Sequence, residues 1–92
     1  RQAVTPEWAG AGIRLNAVAP GAIDTPLLHG GLEHPELGNA IRSLPIPLGG
    51  PGTPEQAAAA IEFLLGDGAS FCCGAVLYAD GGSDALLRPN VP

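Results

Sequence analysis

The 92 residues carry a net charge of −5, with no lysine and four scattered arginines, Arg1, Arg14, Arg42 and Arg88. That balance excludes a nucleic-acid-binding surface, which needs clustered cations to neutralise phosphates, and no apolar run approaches the ~20 residues that span a bilayer. The 14 glycines and 10 prolines make much of the chain turns and connections, while an apolar share of 46% suits a globular core rather than a disordered or collagen-like chain.

Residues 1–9 read as the last turns of a helix ended by Gly10 and Gly12. Pro6 removes a backbone donor there, so a break and restart at Thr5-Pro6-Glu7 is the alternative. The opening lacks both an initiator methionine and the apolar core of a secretory signal, and an incomplete chain is expected. Residues 13–19 are apolar apart from Arg14 and Asn16, the pattern of a strand buried on both faces of a parallel sheet. This run stops at Pro20-Gly21. Ligands of open α/β sheets sit just outside the carboxyl ends of the strands, so chemistry is expected from Pro20 to Leu28. Gly21 would let the backbone approach a planar ligand. The main chain of Ala22 and Ile23 would pair with an amide, and the Thr25 hydroxyl would donate to an amide or phosphate oxygen. On spacing alone, two consecutive turns account for Pro-Gly and Thr-Pro equally well.

Residues 27–50 scatter leucines and isoleucines among glycines, prolines and two histidines. They read as a long irregular connection with short helical pieces, as at 35–43, a length that marks a binding loop or lid. Thr53-Pro54-Glu55-Gln56 is a capping box with proline in the first turn, predicting a helix over 53–66. Its Ala57–Ala60 run leaves a flat side for another helix, within the subunit or across an interface. Residues 74–79 read as a second strand ended by Asp80-Gly81-Gly82. Strand, helical crossover and strand make a parallel pair with a right-handed connection. Two such strands cannot cover their own faces, so further strands and helices are needed.

The adjacent Cys72 and Cys73 read as buried thiols of a cytosolic protein, since neighbouring cysteines rarely bridge and no ligand spacing accompanies them. His29 and His34, with Glu33 and Glu36 nearby, fit no metal template and read as solvated. Asp80-Gly81-Gly82 lacks the other ligands of a calcium loop, and Asp24 is expected to be exposed or locally hydrogen-bonded. No residue of this chain is assigned a catalytic or metal-binding role.

Asn16-Ala-Val-Ala-Pro-Gly-Ala-Ile-Asp-Thr25 resembles the Asn-x-Val-x-Pro-Gly-x-Ile-x-Thr segment of the classical short-chain dehydrogenase/reductase family. Gly74-Ala-Val-Leu-Tyr-Ala-Asp-Gly-Gly82 resembles that family's last strand, and the Pro54-Glu55 helix stands in the matching place between them. The resemblance covers essentially the whole chain, as the carboxyl-terminal third of a subunit. The tail from Asp80 through Ser83 and Arg88 to Pro89 is more particularly similar to the 3α-hydroxysteroid dehydrogenase/carbonyl reductase branch.

The resemblance implies an α/β fold, the carboxyl-terminal portion of a Rossmann-type doubly wound parallel sheet, with 20–28 as the nicotinamide-side turn, 27–50 as the substrate loop and 80–92 as the tail. It implies NAD or NADP held by Pro20, Gly21, Ala22, Ile23, Thr25 and Leu27, with the Ile23 backbone on the carboxamide. It implies a hydrophobic alcohol or ketone, such as a steroid or aryl carbonyl, against Leu28, Leu32, Leu44 and Ile46. The family's Gly-x-x-x-Gly-x-Gly turn is not in these residues, and its catalytic Tyr-x-x-x-Lys cannot be, for want of lysine. Tyr78 lies in the last strand and reads as a packed aromatic. The implied acid/base tyrosine and its lysine thus lie upstream of Arg1, and this chain alone is expected to be inactive. A cytoplasmic homo-oligomer joined through the 53–66 helix and 74–79 strand is also implied. The alternative is a catalytically incompetent fragment that acts only in subunit assembly. The residue that chooses between NAD and NADP follows the second strand of this fold and is not in this stretch.

Overall fold

The computed structural model describes residues 1–88. Capping sets where its helices begin. In α3 (Pro54–Leu65), Thr53 Oγ1 accepts from the Gln56 amide at 3.1 Å and Gln56 Oε1 accepts from the Thr53 amide at 2.8 Å, the expected capping box. The same grammar recurs twice where an irregular loop was expected. Thr25 caps α1 (Pro26–Glu33), and His34 caps α2 (Pro35–Ser43), its Nδ1 accepting from the Glu36 and Leu37 amides at 3.3 and 3.1 Å. Residues 26–43 are therefore a helical hairpin rather than a mainly irregular connection, and α2 is the helical piece expected at 35–43. Pro26 and Pro35 occupy first helical positions, where a missing N–H costs nothing, so they start helices instead of breaking them. Arg42 closes the hairpin by donating to the Leu32 carbonyl at 2.9 Å.

β1 (Ala17–Pro20) and β2 (Val76–Ala79) form a two-stranded parallel sheet, with Ala17 opposite Val76 and Pro20 opposite Ala79. Both strands are shorter than the predicted 13–19 and 74–79, because side chains take over the pairing on the approach. Arg14 Nη1 donates to the Leu64 and Ala69 carbonyls at 3.2 and 2.8 Å, beside the carboxyl-terminal end of α3. Asn16 Nδ2 donates to the Cys72 carbonyl at 3.0 Å and its Oδ1 accepts from the Ala75 amide at 2.9 Å. Hydrogen bonds from a charged group contribute about 1.5–3 kcal/mol, so Arg14 is the stronger tie between β1, α3 and the entry to β2.

Two 3-10 turns, Gln2–Val4 and Ala9–Ala11, replace the helix expected over residues 1–9. The alternative holds there: the chain breaks at Thr5-Pro6, and the Thr5 carbonyl gathers the Trp8 and Ala9 amides. The tail forms α4 (Ser83–Leu87), and the rest of the predicted tail, Pro89 included, lies outside the described residues.

α3 packs on both strands, yet little becomes buried. Ala3 and Ala69 are the buried apolar residues among the described residues, and no large side chain is fully enclosed. β1 is only half-covered, against the expectation of burial on both faces. Val76, Leu77 and Tyr78 are all exposed; since neighbouring strand residues face opposite ways, both faces of β2 are open. One helix cannot cover a two-stranded sheet. The thiols are unbridged, but Cys73 is exposed rather than buried, donating to the Ala3 carbonyl at 3.4 Å, and Cys72 is half-buried. No helix among the described residues is long and apolar enough to cross a membrane.

Candidate functional site

The turn leaving β1 is laced on two sides. The Gly21 amide donates to the Ala79 carbonyl at 3.0 Å, tying it to the end of β2. The Gly52 amide donates to the Ala22 carbonyl at 2.9 Å and the Asp24 amide to the Gly52 carbonyl at 2.8 Å, a parallel bridge between Ile23 and Gly52. In such a bridge the flanking residues make the bonds, so the main-chain groups of Ile23 itself point away from Gly52. The Ile23 carbonyl accepts from Thr25 Oγ1 at 3.2 Å.

Gly21 has a structural requirement that the sequence did not show. A Cβ on it would lie 2.6 Å from Asp80 Cβ and 2.8 Å from Asp80 Cα, so the glycine admits the end of β2. Within the chain, the Thr25 hydroxyl donates to the Ile23 carbonyl and its oxygen accepts from the Leu28 amide at 3.2 Å, capping α1. Thr25 thus holds both Ile23 and the start of the hairpin.

Pro20, Gly21, Ala22, Ile23, Thr25 and Leu27 all line one groove of about 920 Å³. Its far wall is Ala57, Ala58 and Ile61 of α3, with Leu37 and Ile41 of α2 closing one end. Of the four substrate-wall candidates, only Leu28 reaches this groove. Leu32, Leu44 and Ile46 gather with Leu28 around an adjoining pocket of about 290 Å³, which shares Ala22 and Ile41 with the groove. Sequence reasoning missed the α3 wall. Its signal was the small-residue run Ala57–Ala60, read there as a surface for packing a helix.

Asp80 closes the other side of the turn. Its Oδ2 accepts from the Asp84 amide at 2.9 Å and its Oδ1 from the Gly82 amide at 3.0 Å. Those two amides, Asp84 first, hold its carboxyl below the usual carboxylate range. The folded-state value is the lower one, so this contribution to stability is complete above the unfolded-state value near 4 and drains away as pH falls through the folded-state value. Acid titration followed at the Gly82 and Asp84 amides by NMR is expected to show the turn loosening only below about pH 4. Asp80→Asn, which cannot ionise, is expected to lack that acid-range loss.

The remaining polar groups fall to structural tasks. His29 Nε2 and Asp24 Oδ1 lie 2.6 Å apart, both exposed, as the local pairing expected of Asp24. His34 serves as a cap, and no cluster of three or more metal-ligating side chains occurs among the described residues. Tyr78 is exposed beneath the Arg88 guanidinium, 4.8 Å from its ring centre, rather than packed in a core, because no helix or strand among the described residues covers that face of β2.

Residues 2–84 match the family model described as Enoyl-(Acyl carrier protein) reductase. The chain is 45% identical over 83 residues to the 3-alpha-hydroxysteroid dehydrogenase/carbonyl reductase of Comamonas testosteroni, covering 90% of this chain and 32% of that protein. It is 47% identical over 79 residues to the cis-4-hydroxycyclohexanecarboxylate dehydrogenase of Sinomonas cyclohexanicum, covering 86% of this chain and 30% of that protein. The crystal structure of the 3-alpha-hydroxysteroid dehydrogenase from Pseudomonas sp. B-0831 complexed with NADH aligns with a TM-score of 0.86 at 50% identity, over 94% of this chain and 34% of that one. The chain therefore spans about a third of the length of these relatives. With a parallel α/β arrangement like theirs and a family match over residues 2–84, the chain belongs to the short-chain dehydrogenase/reductase family.

Proposed function

We propose that this chain supplies part of the coenzyme and substrate walls of an NAD(P)-dependent oxidoreductase that interconverts a hydrophobic secondary alcohol and its ketone. The observation that carries the reading is the convergence of Pro20, Gly21, Ala22, Ile23, Thr25 and Leu27 on one apolar groove at the carboxyl end of β1. The donor set fits a nicotinamide. Main-chain groups of Ile23, turned away from the Gly52 bridge, match a carboxamide, and the apolar walls match the face of a planar ring. When bound, NAD(H) or NADP(H) accepts or supplies the hydride. The chain's own residues do the positioning. Thr25 fixes the Ile23 carbonyl, the Gly52 bridge fixes the backbone on either side of Ile23, and Leu27 and Leu28 give the groove apolar surface.

The acid/base pair belongs, in this reading, to the remainder of the subunit. An apolar substrate is supported by Leu28, Leu32, Leu44 and Ile46 around the adjoining pocket. The relative named for 3-alpha-hydroxysteroids is consistent with it. The exposed Phe63 and Leu65 of α3 and Val76, Leu77 and Tyr78 of β2 support a homo-oligomer joined there. The unbridged cysteines are consistent with a cytoplasmic location. The same exposed apolar residues favour the second reading, a segment that acts only in assembly.

In the subunit that carries these residues, Thr25→Ala is expected to lower coenzyme kcat/KM about fivefold, the equivalent of the ~1 kcal/mol lost with a cap and its hydrogen bond. Thr25→Ser, which keeps the hydroxyl, is expected to stay near the parent value. Coenzyme kinetics unchanged by Thr25→Ala would remove this turn from the site.

A further inference from the structure

The segment that leaves the helical hairpin, residues 45–48, is short of backbone donors because Pro45 and Pro47 have no N–H. It is nevertheless fixed at four points by the turn after β2. Ser83 is the buried polar residue among the described residues, and its Oγ donates to the Pro45 carbonyl at 2.7 Å while lying 3.1 Å from the Asp80 carbonyl. The Leu48 amide donates to the Gly81 carbonyl at 3.0 Å. Gly81, at φ +67°, approaches so closely that a Cβ there would lie 2.6 Å from Ile46 Cγ2. A Cβ on Gly82, at φ +100°, would lie 3.1 Å from Pro47 Cγ. The Asp80 carboxylate, holding the Gly82 and Asp84 amides, keeps this cradle in shape.

What the cradle holds is one side of the apolar pocket. Leu44 immediately precedes Pro45, and Ile46 immediately follows it; both line the space of about 290 Å³ beside the coenzyme groove. We propose that Ser83 is a positioning residue for the substrate. Its hydroxyl supplies the donor that the proline-rich segment cannot, docks the Pro45 carbonyl, and so sets where Leu44 and Ile46 stand. The inference rests on the oxidoreductase reading above. Ser83 itself lines neither the groove nor the pocket and acts through Pro45.

In the subunit that carries these residues, Ser83→Ala is expected to raise KM for a hydrophobic secondary alcohol about fivefold, the scale of one lost hydrogen bond, with kcat and coenzyme KM within twofold of the parent. Hydrogen exchange at the Leu48 amide is expected to quicken about tenfold, with the α1 amides unchanged. Ser83→Cys, close in size but a weak donor, is expected to fall between parent and alanine, and it carries the same two measurements if the alanine variant does not fold. An unchanged alcohol KM, or unchanged exchange at Leu48, in a folded variant overturns the proposal. A parent subunit that neither turns over alcohol nor binds coenzyme overturns the oxidoreductase reading instead, and with it the substrate-positioning role; Leu48 exchange then still reads whether Ser83 holds the segment.

Discussion

Gly21→Ala is expected to destabilise the subunit that carries this segment by about 3 kcal/mol, the upper range for forcing extra atoms into a packed site. The new Cβ would lie 2.6 Å from Asp80 Cβ and 2.8 Å from Asp80 Cα, and backbone cannot step aside as a flexible side-chain end can. Relief requires β1 and β2 to part where Gly21 donates to the Ala79 carbonyl, which would also displace Ile23. Gly30→Ala is the control. Nothing lies within 4 Å of a Cβ there, in the middle of α1, so the substitution is expected to stabilise by up to ~1 kcal/mol. Urea unfolding of the two variants should therefore give midpoints shifted in opposite directions. A Gly21→Ala midpoint equal to that of the parent would mean that the β1–β2 junction is not packed as described.

The second large effect concerns the chain by itself. The 92 residues are expected to show no oxidation of a secondary alcohol with NAD or NADP. General acid–base catalysis contributes about 10²–10⁴ in rate, and the one titratable side chain that lines the groove, His34, spends its Nδ1 on the Glu36 and Leu37 amides as the α2 cap. There is no lysine, Tyr78 sits beneath Arg88 on the sheet, and His29 is paired with Asp24 at an exposed helix face. The isolated chain is also expected to self-associate or melt without cooperativity, because the sheet is open on both faces of β2. Assay of the purified chain against a panel of cyclic alcohols, with a thermal melt alongside, checks both. Turnover abolished by Thr25→Ala, or a cooperative monomeric melt, would contradict the account.

Legibility in the sequence followed the range of the interaction. The Thr53–Gln56 capping box is complete within four consecutive residues, and α3 begins where it says. The β1–β2 order was readable because Pro20-Gly21 and Asp80-Gly81-Gly82 end apolar runs locally. Of the 26–43 hairpin, the helical piece at 35–43 was readable and is α2, but α1 was not, because Gly30 and Gly31 weaken helix propensity and Thr25-Pro26 read equally well as a turn. The partners of Gly21, Arg14, Asn16 and Ser83 all lie far along the chain, so neither the reason for the glycine nor the reach of the polar side chains has a local signature. The candidate coenzyme residues came together in one groove. The substrate residues divided between two spaces, since the hairpin turns Leu32, Leu44 and Ile46 toward the adjoining pocket.

The central claim is that the Pro20–Thr25 turn is the nicotinamide-side wall of an oxidoreductase site. Intermolecular NOE measurements between bound NAD(H) or NADP(H) and methyl-labelled subunit test it most directly. The account predicts contacts from the nicotinamide ring protons to the methyl groups of Ile23, Thr25 and Leu27. Nicotinamide contacts that bypass all three, with coenzyme bound, would contradict it.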